Sequence, residues 1–465
     1  MNDIDILRRS HEKLIVENVF RIKKINNPSE QVEKTARLMV REKKIEELLI
    51  WLENIKNSNF YNENKSSLDG ANVSSCSKLV GCLFDISDVV NYFLAAHKTV
   101  SGIQRLILAT LAELTNDERK YNKLISFHGN SKSGVQEISW SFIDLVLECT
   151  QCSNSVDNSY LFSESIKFNS FDIDKNWVER NKDSSYVLVI LGAAWIVPAF
   201  PKTHRKFASD LGLYVASILY DLIPYSYPEY VSGDATREFY IYIKSLLSIS
   251  DLLIPISQYV AEDLSIHSVS LMNGIKRVPV YEPVSLAREI PFKEKQDVDK
   301  SNLEWFEKQV MELGVDVDNF ILNVGSVEIR KNHIGSFVAW RHLYSKLGGE
   351  CPQLIVVGRH GWKSEAFFDA LKTTNFLDNK ILVLEGVSDD LLTYLYSICK
   401  FTIYPSLEEG WGLPIGESLD AGKVCITSNK ASMPEVGGRL CKYVNPFDSF
   451  DIANTVESLL NDIAE

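Results

Sequence analysis

No stretch of this 465-residue sequence reaches the roughly 18 uninterrupted apolar residues that a membrane-spanning helix needs. Its first residues, Met-Asn-Asp-Ile-Asp, have no basic region followed by an apolar core, so no secretory leader is expected. A basic excess is lacking too: 49 Lys and Arg against 62 Asp and Glu leave a net charge of −13, the opposite of a nucleic-acid binder's footprint. Cysteine is sparse, eight residues scattered singly apart from Cys149 and Cys152. One Cys-x2-Cys without a second pair or a nearby His is a poor zinc site, so no metal is expected. A cytoplasmic chain with reduced thiols is expected instead. No Ser/His/Asp or Cys/His arrangement points to a covalent nucleophile either.

What is present is ordinary globular composition, 45% hydrophobic and 24% charged, at a length that predicts two or three domains. Residues 1–57 are charged and helix-prone, with Ile45, Leu48, Leu49, Leu52 and Ile55 at helical spacing and Pro28 dividing two helices. This segment reads as a helical hairpin on the body of the protein, or as a docking surface for a partner or a membrane face. The Asn-, Ser- and Gly-rich stretch after it is a linker, so residues 1–77 form an extension. From Leu79 apolar strands alternate with helical stretches, as a doubly wound α/β domain requires. Runs at 79–84, 186–191, 213–220 and 252–256 are strands of a first domain, residues 78–285. Residues 286–318 read as a connection, and strands at 320–324, 353–357, 380–384, 401–404 and 423–427 build a second domain, residues 319–465. The expected fold class is α/β, two facing Rossmann-like domains.

The most informative segment is Tyr404-Pro-Ser-Leu-Glu-Glu-Gly-Trp-Gly-Leu-Pro-Ile-Gly-Glu417. Pro405 and Ser406 stop a buried strand, Gly410 and Gly412 allow a tight turn, and Pro414 suits a first helical position, so a helix starts near Leu413. Its free N–H groups attract anions, while Glu409 and Glu417, eight positions apart, offer pure acceptors that suit sugar hydroxyls. Arg330 and Lys331 follow the strand ending at Asn323-Val-Gly325 and project from its C-terminal edge, where open α/β sheets bind ligands. Two adjacent cations there suit a diphosphate, with surface ion pairing as the plainer alternative. Gly325 lets the backbone approach that ligand.

Glu409-x7-Glu417 is followed by Ala421-Gly422, Ser428-Asn429 and Pro434-Glu435-Val436, and is preceded by Asn323 to Asn332, Val356-Val-Gly-Arg359 and Gly386-Val-Ser-Asp389. In this order and spacing, across residues 80–460, the sequence resembles the retaining, nucleotide-sugar-dependent glycosyltransferases of the GT-B fold, the group 1 type. It is most similar to bacterial polysaccharide mannosyltransferases. The resemblance implies that Arg330 and Lys331 stabilise the leaving nucleoside diphosphate without a metal, that Glu409 faces the hexose and that Glu417 holds the ribose. It implies that Leu413 lies near the sugar and phosphate, that Val387 and Ser388 lie against the nucleobase, and that the loop opened by Gly102 faces the diphosphate from the first domain. Arg105 reaches the same phosphates or is a helix-surface charge. Asp221, in Tyr220-Asp-Leu-Ile-Pro224, orients the acceptor hydroxyl or contacts the donor sugar, with a turn carboxylate as an equal alternative.

The implied reaction is retaining transfer of a hexose from a nucleotide sugar, GDP-mannose favoured and UDP- or dTDP-sugars open, to a growing surface polysaccharide or lipid-linked glycan. No cofactor beyond the donor is implied, and the enzyme would work at the inner face of the cytoplasmic membrane. A catalytically inactive glycan-binding or scaffolding protein is the alternative of another class. Family members continue past the last strand with a helix that crosses back onto the first domain; here that helix is expected to be missing.

Overall fold

The computed structural model describes residues 79–94, 102–127, 134–151, 170–173, 177, 185–193, 200–275, 278–286 and 300–464. The extension at 1–77 and residues 287–299 of the connection lie outside the described residues. The chain divides into two compact units. The first, Met1–Val80 with Arg180–Tyr186, is nearly all outside the description; both sheets' site-bearing edges belong to the second.

The first sheet has eight strands: β1 (Leu79–Asp85), β2 (Lys123–Ser126), β3 (Gln136–Ile138), β4 (Ser170–Asp172), β5 (Ser185–Ile190), β6 (Tyr214–Leu219), β7 (Leu252–Pro255) and β8 (Val280–Tyr281). They lie in the order β4-β3-β2-β1-β5-β6-β7-β8. The β2–β3 and β3–β4 pairs are antiparallel, while β1–β2, β5–β6, β6–β7 and β7–β8 are parallel. Chain order reverses between β1 and β5, which opens a crevice beyond their carboxyl ends.

The second sheet has six strands, β9 (Phe320–Val324), β10 (Gln353–Val357), β11 (Ile381–Leu384), β12 (Thr402–Tyr404), β13 (Cys425–Ser428) and β14 (Lys442–Val444), all parallel. Their order is β11-β10-β9-β12-β13-β14, so the reversal falls between β9 and β12. Alternation along the strands explains why the sheet is covered on both faces. Ile321, Leu354 and Val356 join one core with Trp340, Phe337, Val456 and Ile452 of the helices His333–Leu347 and Ser449–Ala464. Phe320, Leu322, Ile355 and Val357 point the other way, onto Val310, Leu391 and Leu395. Strands buried on both sides are apolar at nearly every position, which is why they read as near-continuous runs, Asn323 and Gln353 being buried polar exceptions. Among the described residues, no helix is long and apolar enough to cross a membrane.

Candidate active site

The two loops that leave the sheet at its β9–β12 reversal are tied together. After β9, Gly325 takes φ 145°, a conformation closed to other residue types, and the chain turns through the short helix Ile329–Lys331. Asn332, left-handed at φ 60°, ends that turn and donates its side-chain amide to the carbonyls of Pro405 (3.1 Å) and Pro446 (2.7 Å). The Leu407 amide donates to the Arg330 carbonyl at 2.7 Å. These bonds bring the cations of one loop onto the carboxylate of the other. Arg330 donates from Nε to Glu328 Oε2 (2.9 Å) and from Nη1 to Glu409 Oε2 (2.6 Å), and Lys331 Nζ lies 2.5 Å from Glu409 Oε1. The Tyr404 hydroxyl accepts from Lys331 and donates to Glu409 Oε1 at 2.8 Å.

All of these groups are buried or nearly so, which decides their charge state. Burial works against the Glu409 carboxylate, but Arg330 and Lys331 outweigh it and hold the carboxyl down at about 2. Arg330 is held charged in the same way: burial lowers it, while Glu409 and Glu328 raise it further. The result is a fixed, water-poor array of charge at a sheet edge, with no reorganisation needed when an anion develops beside it.

Glu417 is reached by a different route. Gly412, at φ 115°, precedes the helix Leu413–Asp420, whose first turn holds Pro414. Glu417 has other partners than the Arg330 cluster: it accepts from Arg105 Nη1 (3.1 Å) and from the Tyr396 hydroxyl (2.8 Å). Arg105 belongs to the helix Gly102–Ala112 of the first sheet's domain, so this ion pair spans the cleft. Gly102, at that helix's start, lies on the same seam: a Cβ there would sit 3.4 Å from Leu413 Cδ1.

Asp221 follows β6 and accepts from the Ile223 amide at 3.0 Å. With Arg330 it lines a 140 Å³ cavity whose walls include Ala193, Tyr220, Tyr242 and Trp362. Burial raises the Asp221 carboxyl; Arg330 opposes this and Glu409 adds to it. The two domains touch here closely enough to require glycine. A Cβ at Gly410 would fall 2.1 Å from the Tyr220 carbonyl oxygen.

The structure therefore joins Arg330, Lys331 and Glu409 in one cluster beside Gly325, with Arg330 and Asp221 lining the cavity, and places Glu417, Leu413 and Gly102 on the adjoining seam. Val387 and Ser388 stay outside this cluster. They lie beyond β11, where Val387 packs against the core and the Ser388 hydroxyl caps the helix Asp389–Ile398 by accepting from the Leu391 amide at 3.3 Å. Glu408, the neighbour in sequence that could rival Glu409, is buried elsewhere. Burial, with Asp263 and Glu409 adding to it, pushes its carboxyl up to about 7 against hydrogen bonds from Tyr259 and Tyr227. Asp85 is structural: its carboxylate pairs with buried His204 at 2.9 Å and holds the Ser87 amide at 2.9 Å. Sequence reasoning missed Glu328, the second partner of Arg330, and Tyr404, the link between Lys331 and Glu409. The signal for Tyr404 was its place as the last residue of β12, at the edge where ligands bind.

Residues 307–463 match the family described as glycosyl transferases group 1. The chain is 25% identical over 389 residues to the serotype-specific mannosyltransferase WbdA of Escherichia coli, covering 78% of this chain and 45% of that protein. It is 33% identical over 144 residues to the O-antigen chain mannosyltransferase B of Escherichia coli, covering 31% of this chain and 37% of the relative. The chain thus spans less than half the length of these relatives. Among solved structures, HepE of Anabaena in complex with UDP and glucose aligns with a TM-score of 0.52 at 13% identity, covering 83% of this chain and 91% of that one. The fold is therefore GT-B, and residues 307–463 match the glycosyl transferases group 1 family.

Proposed function

We propose that this protein transfers a hexose, mannose by preference, from a nucleotide sugar to a hydroxyl of a growing surface polysaccharide or lipid-linked glycan, with retention at the anomeric carbon. The observation that carries the reading is the cluster of Arg330, Lys331 and Glu409, whose Arg330 lines a cavity together with Asp221 of the other domain. Anionic donors need fixed cations in an acidic chain, and these two are held at the sheet's reversal point, where ligands of open α/β folds bind. On donor arrival the diphosphate takes the exposed side of Arg330 and Lys331, and Glu409 accepts from hexose hydroxyls. The guanidinium fork and the ammonium then meet the charge that grows on the departing phosphate, which itself takes the acceptor's proton. Asp221 orients the acceptor hydroxyl from across the cleft, and Glu417 accepts from the ribose.

Mannose and GDP are favoured because the relatives named above are mannosyltransferases. A metal is not needed in this scheme, since the paired cations do its electrostatic work, and no cofactor beyond the donor enters it. The acceptor would be met at the cytoplasmic face of the membrane. Thermal stabilisation across GDP-mannose and UDP- and dTDP-hexoses tests the reading, followed by donor hydrolysis. A ligand at 100 times its Kd stabilises the folded state by about 2.7 kcal/mol. Stabilisation by GDP-mannose alone is expected; a larger shift with a UDP- or dTDP-sugar would move the donor, and no shift with any donor would favour an inactive scaffold.

A further inference from the structure

Pro434-Glu435-Val436 belongs to the sequence signature, yet the reaction scheme uses none of it. In the structure Glu435 does not face the Arg330 cluster. Its carboxylate crosses to the first domain and accepts from two backbone amides at the start of the helix Gln258–Leu271: Oε2 from Gln258 at 2.8 Å and Oε1 from Tyr259 at 2.7 Å. Ser257, the residue before that helix, already serves the Val260 amide at 3.0 Å. The first three free amides of the helix are therefore satisfied, two of them by the other domain. A carboxylate there also meets the positive end of the helix, so both bonds are charge-assisted.

The segment that carries Glu435 also holds the catalytic loop. The Ser432 hydroxyl, fully buried, lies 2.9 Å from the Glu409 carbonyl oxygen and 2.7 Å from that of Trp411, and shares its proton between them. Ser432, Glu435 and the turn Glu409–Trp411 thus form one braced piece. Docking Glu435 on the first domain sets how far that piece stands from Asp221, and Gly410, with no room for a Cβ against Tyr220, shows how tight the setting is.

We infer that Glu435 is a positioning residue: it latches the donor domain onto the helix Gln258–Leu271 and, through Ser432, holds Glu409 at the closed-cleft distance from Asp221. The inference rests on the transferase reading for its kinetic consequence but not for the latch itself. In the full chain, Glu435→Ala is expected to lower kcat about 100-fold while donor Kd stays within about threefold, because the donor groups sit on loops of Glu435's own domain. Its radius of gyration by X-ray scattering should rise, as the domains part. Glu435→Gln, which keeps one acceptor oxygen, should recover part of kcat. Ser432→Ala should lower kcat without the change in radius. Unchanged kcat in Glu435→Ala, or donor affinity and melting temperature falling in step with kcat, would overturn the proposal. Were the wild type inert toward every nucleotide sugar, the transferase reading would fail by itself. The scattering comparison would then decide the latch, a rise supporting it and no change refuting it.

Discussion

Replacing Glu409 by Gln keeps the shape of the side chain and removes the charge that two buried cations share. Arg330 retains Glu328, but Lys331, only 8% exposed, is left with the Tyr404 hydroxyl in place of a carboxylate. Stranding one member of a buried ion pair costs about 3–5 kcal/mol. The titration of Glu409 gives a similar figure: a carboxyl held at about 2 against its ordinary 4.5 contributes about 3 kcal/mol in its ionised form. The sign follows from a depressed pKa: this stability is fully present above pH 4.5 and is lost as pH falls from there toward 2. Adding Lys331→Met removes the stranded ammonium with an apolar chain of similar length, so the double variant should return to within about 1 kcal/mol of wild type. Both variants should have lost transfer. Urea unfolding near neutral pH, followed by tryptophan fluorescence, reads the effect, Trp411 being buried in the same loop and one of the chain's eight tryptophans. A single variant less than about 1 kcal/mol below wild type, or a double variant as weak as the single, would refute the claim that Lys331 depends on Glu409.

Three other outcomes are expected. Glu417→Ala breaks an ion pair whose partners are 21% and 18% exposed, so the melting point should move little, about 0–1 kcal/mol in stability, while donor KM rises at least tenfold. Gly410→Ala forces a Cβ toward the Tyr220 carbonyl, and should lower kcat strongly with secondary structure intact by circular dichroism. Glu408, pushed up to about 7, has a raised carboxyl, so the stability it contributes is full below pH 4.5 and is lost as pH rises toward 7. Glu408→Gln should therefore flatten stability between pH 5 and 7 and leave the variant more stable than wild type at pH 8, as measured by denaturant midpoints.

The fold was legible wherever strands are buried on both faces. Phe320–Val324 and Gln353–Val357 are apolar runs interrupted only by Asn323 and Gln353 because both neighbours are helical layers, and their bounds came straight from the residues. β3 and β4, three residues each and paired antiparallel at the sheet's edge, escaped because Gln136-Glu-Ile and Ser170-Phe-Asp are too short to show a period. The helix start at Leu413 was readable from Gly412 and Pro414, whose backbone preferences are local.

By itself the sequence determined two parallel-sheet domains, the loops that leave their carboxyl edges, and the residue types in those loops: cations after β9, carboxylates after β12. These follow from local rules, apolar periodicity and the backbone freedom of Gly and Pro, that act within a few residues. Only the tertiary structure decided the partners. Glu409 pairs with Arg330 and Lys331 across 79 and 78 positions, Glu417 with Arg105 across 312, and Glu435 with the amides of Gln258 and Tyr259 across 177 and 176. A charged side chain several residues into a loop can find any partner the packing brings near. Which one it finds depends on how two sheets' edges are set against each other, and that is fixed by the burial of whole helices and by contacts such as Gly410 on Tyr220.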